Sequence, residues 1–300
     1  MHVTTIVVGV DGSAGAKAAL AWAYEQVRRI QGARILAVST WMSPVPAASP
    51  WFAGYDVPID LTESTKARLD AIVHEVRAGR DGVEMQQRVV CGSAVAVLLD
   101  EGAKGDLLVV GSRGLGGFKG LLLGSVSHQL VTHAPCPTVV VPMSGSRPAS
   151  SVDDPMRIVV GVDGSPNSIA ALQWAGQWAR ATGAHVRAIY AWRLPPMVVP
   201  PAHLGLGSPS ADEPPDVAAQ ELASFVAAAG ILADVKVEAH TREGRPAPML
   251  LEEARRADLL VVGARGHEGF TGLLLGSVAT AVAHHAPCPV AVIPHERARS

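Results

Sequence analysis

The chain has 300 residues, about twice the length of one compact domain, so two domains are the first expectation. Hydrophobic residues make up 48% and charged residues 17%, which excludes a disordered chain and supplies enough apolar material for a core. The formal net charge of −2, with basic residues scattered, gives no pull toward nucleic acid or an anionic membrane.

Residues 1–5 carry no basic stretch or long apolar run, so the N-terminus reads as the approach to a first strand rather than a secretory leader. No apolar run reaches the roughly 18–20 residues that a membrane span needs. The cysteines Cys91, Cys136 and Cys288 are odd in number, which argues against a disulfide framework and for a reducing compartment. A cytoplasmic protein is expected.

In chain order, TIVVGV ending at Val10 reads as a strand, followed by Ser13 as a helix N-cap. Leu20, Ala23, Tyr24 and Val27 then recur with helical spacing. ARILAVST is a second strand, and a helix is predicted from about Leu61 to Ala78. VEMQQRVV, a helix over 94–104, DLLVVGS, a helix over 125–133 and TVVVP complete the set. Five strands alternating with helices predict a parallel, doubly wound sheet. The scarcity of aromatics, 4%, suits such a sheet, buried on both faces, better than a sandwich or barrel.

The pattern then repeats. VVGVDGS begins at Val7 and Val159, VVGSRGLGGFKGLLLGSV at Val109 with VVGARGHEGFTGLLLGSV at Val261, and HAPCP at His133 and His285; each pair lies 152 positions apart. A constant offset across a whole domain is a tandem duplication. The stretch SGSRPASSVDDP, between Met143 and Met156, reads as a flexible linker. We therefore expect domains at 1–145 and 157–300 joined by a linker at 146–156. Ser165 followed by Pro166 gives the second copy an N-cap and a first-turn proline. Long irregular segments follow Trp41 and Trp192, either covering or docking elements or loops tucked against the core.

Open parallel sheets bind ligands beyond the carboxyl ends of their strands. There the first copy has Gly111-Ser112-Arg113-Gly114, nine residues, then Gly124-Ser125 opening a helix; the second has Gly263-Ala264-Arg265-Gly266, nine residues, then Gly276-Ser277. Glycines admit close backbone approach, and a helix N-terminus offers free N–H groups to an anion. Ser125 and Ser277 are expected both to cap their helices and to add hydroxyl donors. The pattern fits a phosphate cradle, and it also fits a tight turn before a helix. Asp11 and Asp163 face the same crevice, where they suit a ribose hydroxyl, a Mg²⁺ ion or an Asx turn. A P-loop motif is absent, and GLGGFKG lacks the last glycine of a dinucleotide fingerprint. His133 with Cys136, and His284, His285 and Cys288, supply too few ligands for zinc. Cys136 and Cys288 read as buried structural thiols, and His128 as a surface residue. No nucleophile triad is readable.

GVDGS, G-x2-G-x9-G-[ST] and APCP, each present twice, resemble the universal stress protein family in its ATP-binding branch, over essentially the whole of both copies. The resemblance implies two tandem Rossmann-like, adenine nucleotide alpha hydrolase-like domains of strand order 3-2-1-4-5, paired through their last strands. It also implies bound ATP, often with Mg²⁺, and regulation of stress response, dormancy or growth rather than metabolic catalysis. Carried over by position, Gly9, Asp11 and Thr40 would line adenine in the first copy, and Gly161, Asp163 and Ala191 in the second. Gly111, Ser112, Arg113, Gly114, Leu115, Gly116 and Gly117, with Gly124, Ser125 and Val126, would take ribose and phosphates. Gly263, Ala264, Arg265, Gly266, His267, Glu268 and Gly269, with Gly276, Ser277 and Val278, would do so in the second copy. Asp11 and Asp163 would hold Mg²⁺ through the nucleotide.

Glu268 in place of Gly116, and Thr271 in place of Lys119, make the second site less hospitable to a triphosphate. The first site is expected to bind ATP at least as tightly. Two other readings stay open: a slow ATPase or ATP-using transferase, and a partner-binding module without nucleotide. Last strands that seek partners make a homodimer a further expectation, and a regulatory protein partner is another.

Overall fold

A computed structural model describes residues 4–42, 60–78, 82–115, 123–143, 155–193, 214–231, 233–266 and 274–294. The first half runs β1 (Thr5–Gly9), α1 (Ala14–Arg29), β2 (Arg34–Trp41), α2 (Thr62–Arg77), β3 (Glu84–Cys91), α3 (Ala94–Lys104), β4 (Leu107–Gly111), α4 (Ser125–His133) and β5 (Thr138–Val141). The second runs β6 (Arg157–Val162), α5 (Pro166–Thr182), β7 (His185–Trp192), α6 (Pro214–Ala228), β8 (Val237–Glu243), α7 (Pro246–Ala254), β9 (Leu259–Gly263), α8 (Ser277–His285) and β10 (Val290–Ile293). Each predicted element is present, with ends shifted by no more than a residue or two.

The strands form one ten-stranded sheet in the order β3-β2-β1-β4-β5-β10-β9-β6-β7-β8. Each half is therefore parallel with order 3-2-1-4-5, as the resemblance implied. The halves join where β5 and β10 pair antiparallel, Val140 opposite Val290 and Thr138 opposite Val292. This bears out the pairing through the last strands that the resemblance implied. They are used up against each other, and the outer edges of the sheet are β3 and β8.

The sequence dictates this join through burial. β4, β5 and β10 are buried at every position, because Leu, Val, Ile, Thr and Gly runs without alternation need helices on both faces. Side chains alternate between two core layers. Ile6 and Val8 pack with Leu20, Leu69, Leu172 and Leu222 from α1, α2, α5 and α6. Val7 packs with Leu98, Leu130, Leu250 and Val282 from α3, α4, α7 and α8. Both layers run across both halves. The register shows one local difference: Gly9 lies opposite Val38, and Gly161 opposite Ile189, so the second copy has lost one residue before its second strand. Ala191 thereby takes the place of Thr40.

The predicted linker, and most of the segments after Trp41 and Trp192, lie outside the described residues. Among the described residues no helix is long and apolar enough to cross a membrane.

Candidate functional site

The carboxyl ends of β1 and β4 meet where the sheet order reverses, the place a ligand takes in such sheets. After β1 the chain turns through Gly12, whose φ of +99° a side-chain-bearing residue rarely adopts; Gly164 repeats this at +78°. The turn delivers Ser13 as N-cap of α1, its hydroxyl accepting from the Ala16 amide at 3.1 Å. Ser165 does the same for α5 at Ser168, ahead of Pro166.

Asp11 spans the crevice. One carboxylate oxygen accepts from the Ser13 amide at 2.9 Å, an Asx turn, and the other accepts from the Leu115 amide at 2.9 Å. The aspartate therefore clamps the loop after β4 to the turn after β1. A Cβ on Gly114 would collide with that carboxylate, and one on Gly266 would collide with Asp163. Asp163 accepts from the Ser165 amide at 3.0 Å and hydroxyl at 2.6 Å. Leu115 itself is 69% exposed, so the loop uses its amide rather than its side chain.

The glycines divide by role. Gly111 meets the backbone of Gly15 on α1, and Gly263 meets that of Asn167 on α5, so these two let helix and strand approach. Gly9 and Gly161 make room for Leu98 and Leu250. Gly124 and Gly276 are the N-caps of α4 and α8, their amides donating at 2.7 Å to the Ser112 and Ala264 carbonyls. This corrects the expectation for Ser125 and Ser277. Each is the first helical residue, exposed, and neither helix has a side-chain cap. A glycine cap has no oxygen to give, so the first-turn amides at Ser125, Val126 and Ser127 are left for an anion or water. Ser127 ties the base of the loop by donating to the Gly111 carbonyl at 2.7 Å.

The structure thus brings Asp11, Ser112, Arg113, Gly114 and Leu115 together around α4, with Ala264, Arg265 and Gly266 beside Asp163 in the second half. Gly116, Gly117, His267, Glu268 and Gly269, with Lys119 and Thr271, lie outside the described residues. Thr40 and Ala191 sit half-buried near the ends of β2 and β7.

Motif reading missed the neighbours contributed by α2 and α6. A Cβ on Gly12 would lie 3.2 Å from Cδ of Arg68, and one on Gly164 2.5 Å from the ring of Phe225. Phe225 meets Tyr190 edge to face at 5.5 Å, and the Tyr190 hydroxyl donates to Glu221 at 2.8 Å. Burial, then the Glu221 bond and the charges of Glu221 and Asp163, push the Tyr190 phenol up to about 12. Helical charges and aromatics at such distances in sequence carry no spacing signal.

Cys136 and Cys288 are buried, and burial raises their thiols to about 12, which keeps them protonated and unreactive. Cys91 is exposed at the end of β3. Among the described residues no group of three or more His, Cys, Asp or Glu could hold a metal ion.

Comparison with known proteins agrees with this architecture. A family model described as the universal stress protein family matches residues 2–142 and again 155–294. A universal stress protein of Mycolicibacterium smegmatis is 33% identical, with 96% of each chain covered. One of Mycobacterium tuberculosis is 31% identical over the same shares. The crystal structure of a universal stress protein from Archaeoglobus fulgidus superposes with a TM-score of 0.67 at 18% identity, covering 99% of this chain and 100% of that one, a likeness of fold. The chain belongs to the universal stress protein family, as a tandem of two family domains.

Proposed function

We propose that the chain is an ATP-binding universal stress protein, a cytoplasmic nucleotide-dependent regulator of stress response, dormancy or growth. The observation that carries this is the uncapped N-terminus of α4 beside residues 112–115, which Asp11 holds in place; the uncapped N-terminus recurs at α8, with Gly266 packed against the Asp163 carboxylate. Free amides and the positive end of the helix dipole favour phosphate. Adenine would lie by Gly9, Asp11 and Thr40, and by Gly161, Asp163 and Ala191.

Any Mg²⁺ would be held chiefly by the nucleotide's phosphates and water, with Asp11 or Asp163 at its outer side. Asp11 already accepts two amide hydrogen bonds, which leaves it limited capacity as a direct ligand. Bound Mg²⁺ would neutralise polyphosphate charge. Homodimerisation and a regulatory protein partner belong to the proposal, and nucleic acid and membrane do not.

Calorimetric titration of nucleotide-stripped protein with ATP tests the reading. Binding that falls in Asp11→Ala and in Asp163→Ala is expected. A wild-type chain that takes up no ATP would sink it and favour a partner-binding role.

A further inference from the structure

We propose that the seam between the two halves contains a second kind of site, which takes a small phosphate-type dianion between Arg113 and the imidazoles of His284 and His285. A cavity of about 260 Å³ opens there, lined from the first half by Ser112 and Arg113 and from the second by His284 and His285. It lies where the loop after β4 faces the end of α8 and the start of β10. It exists only because β5 and β10 pair, and it shares Ser112 and Arg113 with the loop that the proposed function gives to the first nucleotide cradle.

Charge argues for an anion. Arg113 is permanently cationic and forms no ion pair among the described residues, and no carboxylate among them lines the cavity. His128 on α4 stands edge to face with His284 at 6.3 Å, and His284 lies 6.2 Å from His285. Two opposing influences act on His284. Its position in the last turn of α8 places it at the negative end of the helix dipole, while burial, then the neighbouring His128 and His285, hold it below the usual histidine value. A dianion resolves that conflict by pairing with the imidazolium groups and accepting the guanidinium fork. The other titratable groups nearby are His133, Cys288 and, through its charge on the Cys288 thiol, Asp258, which does not line the cavity. His133 turns Nδ1 back to the Gln129 carbonyl at 2.9 Å, and the Cys288 thiol stays protonated.

The cavity exceeds one inorganic phosphate, and Val140, Met143 and Val290 give it an apolar wall. That wall fits the organic part of a phosphomonoester. The duplication supplies a natural control. At the positions 152 earlier or later, Thr132 stands for His284 and Thr280 for His128, so the opposite side of the seam lacks the cluster. The site also touches the nucleotide loop: the Ser112 carbonyl accepts from the Gly124 amide, and the Arg113 carbonyl accepts from the Ser13 hydroxyl at 3.3 Å. An occupant would fasten that loop to the second half.

The test is imidazole NMR on the full chain saturated with ATP, so that the cradles are filled before phosphate is added. Inorganic phosphate and phenyl phosphate are titrated separately, with chloride at matched ionic strength as the control. The expected result is a rise in the His284 titration midpoint by about half a pH unit or more with phosphate, absent with chloride. The response should be lost in Arg113→Ala, and the matching His285 response lost in His284→Thr, which should leave ATP binding intact. Tighter binding of phenyl phosphate would assign an organic phosphate to the site, and equal binding the free ion. An unmoved His284 midpoint at millimolar phosphate, or the same shift with chloride, would overturn the proposal. If ATP fails to bind, the same titration on nucleotide-free protein still decides it, because only the seam histidines are read.

Discussion

Gly12 in the first half lies against the aliphatic stem of Arg68, whereas Gly164 in the second lies against the ring of Phe225, itself packed on a Tyr190 bonded to Glu221. The backbones agree: both glycines have positive φ, both turns feed a serine N-cap, and both aspartates crowd the glycine that follows β4 or β9. What duplication preserved is the set of helix-terminal amides that the proposed function assigns to an anion. The side chains around that set diverged, with a cation beside one turn and an aromatic pair with a carboxylate beside the other. Backbone recognition tolerates such drift, because no particular side chain has to be kept. The two sites should therefore share a ligand class and differ in strength.

The largest effect should come from destroying what the halves share. Gly111→Ala places a methyl group in the backbone of Gly15, where only main-chain movement gives relief. We expect a loss of about 3 kcal/mol or more in urea unfolding, and somewhat less for Gly263→Ala, whose nearest backbone atom is 2.8 Å away. Equal, small losses would mean that the helix–strand contact is looser than described.

Next in size is the clamp. Asp11→Ala frees the Ser13 and Leu115 amides and should weaken ATP at the first site by about tenfold or more. With the second site left alone in that variant, and the first alone in Asp163→Ala, calorimetry compares the two directly. The first site should bind ATP at least as tightly, and tighter binding by the second would refute that ranking. Arg68 is exposed, so its contribution is screened. Arg68→Ala should reduce ATP affinity at the first site about two- to fivefold and leave adenosine nearly unchanged, narrowing the gap between sites.

The smallest effect concerns the seam. His284 is held below its ordinary value of 6.5, so the unfolded chain binds that proton more readily than the folded one. Stability from this group is present above pH 6.5 and is lost as pH falls through that value toward the lower folded one. Thermal unfolding of the wild type should therefore drop faster than that of His284→Thr as pH is lowered below about 6.5, in phosphate-free buffer. Parallel curves would show that burial and the neighbouring imidazoles do not hold His284 below its ordinary value.

Much of this was legible in advance, for identifiable reasons. Buried parallel strands are continuous apolar runs such as DLLVVGS, and Ser13, Ser165 and Pro166 announce helix starts by local chemistry, so order and boundaries could be read. Ser125 misled because serine is a good cap, yet the extended residue before the helix is Gly124, and nothing local distinguishes cap from first turn in Gly-Ser. The pairing of the halves through their last strands was implied by the resemblance and not by any local pattern, because only the assembled sheet sets β5 against its counterpart β10. Arg68 and Phe225 were invisible for a related reason, and so was the meeting of His284, read only as short of zinc ligands, with His128. They reach their positions through packing of helices far along the chain, and no spacing rule connects His128 to His284.

The central claim is that each half carries an adenine nucleotide cradle, the first at least as strong as the second. Mass spectrometry of the nucleotide released by denaturing freshly purified protein, with its molar ratio to chain, tests this most directly. The account predicts adenine nucleotide, principally ATP, at one to two equivalents per chain, with Asp11→Ala lowering the ratio at least as much as Asp163→Ala. A chain that releases none, and takes up none when ATP is added back, would contradict it.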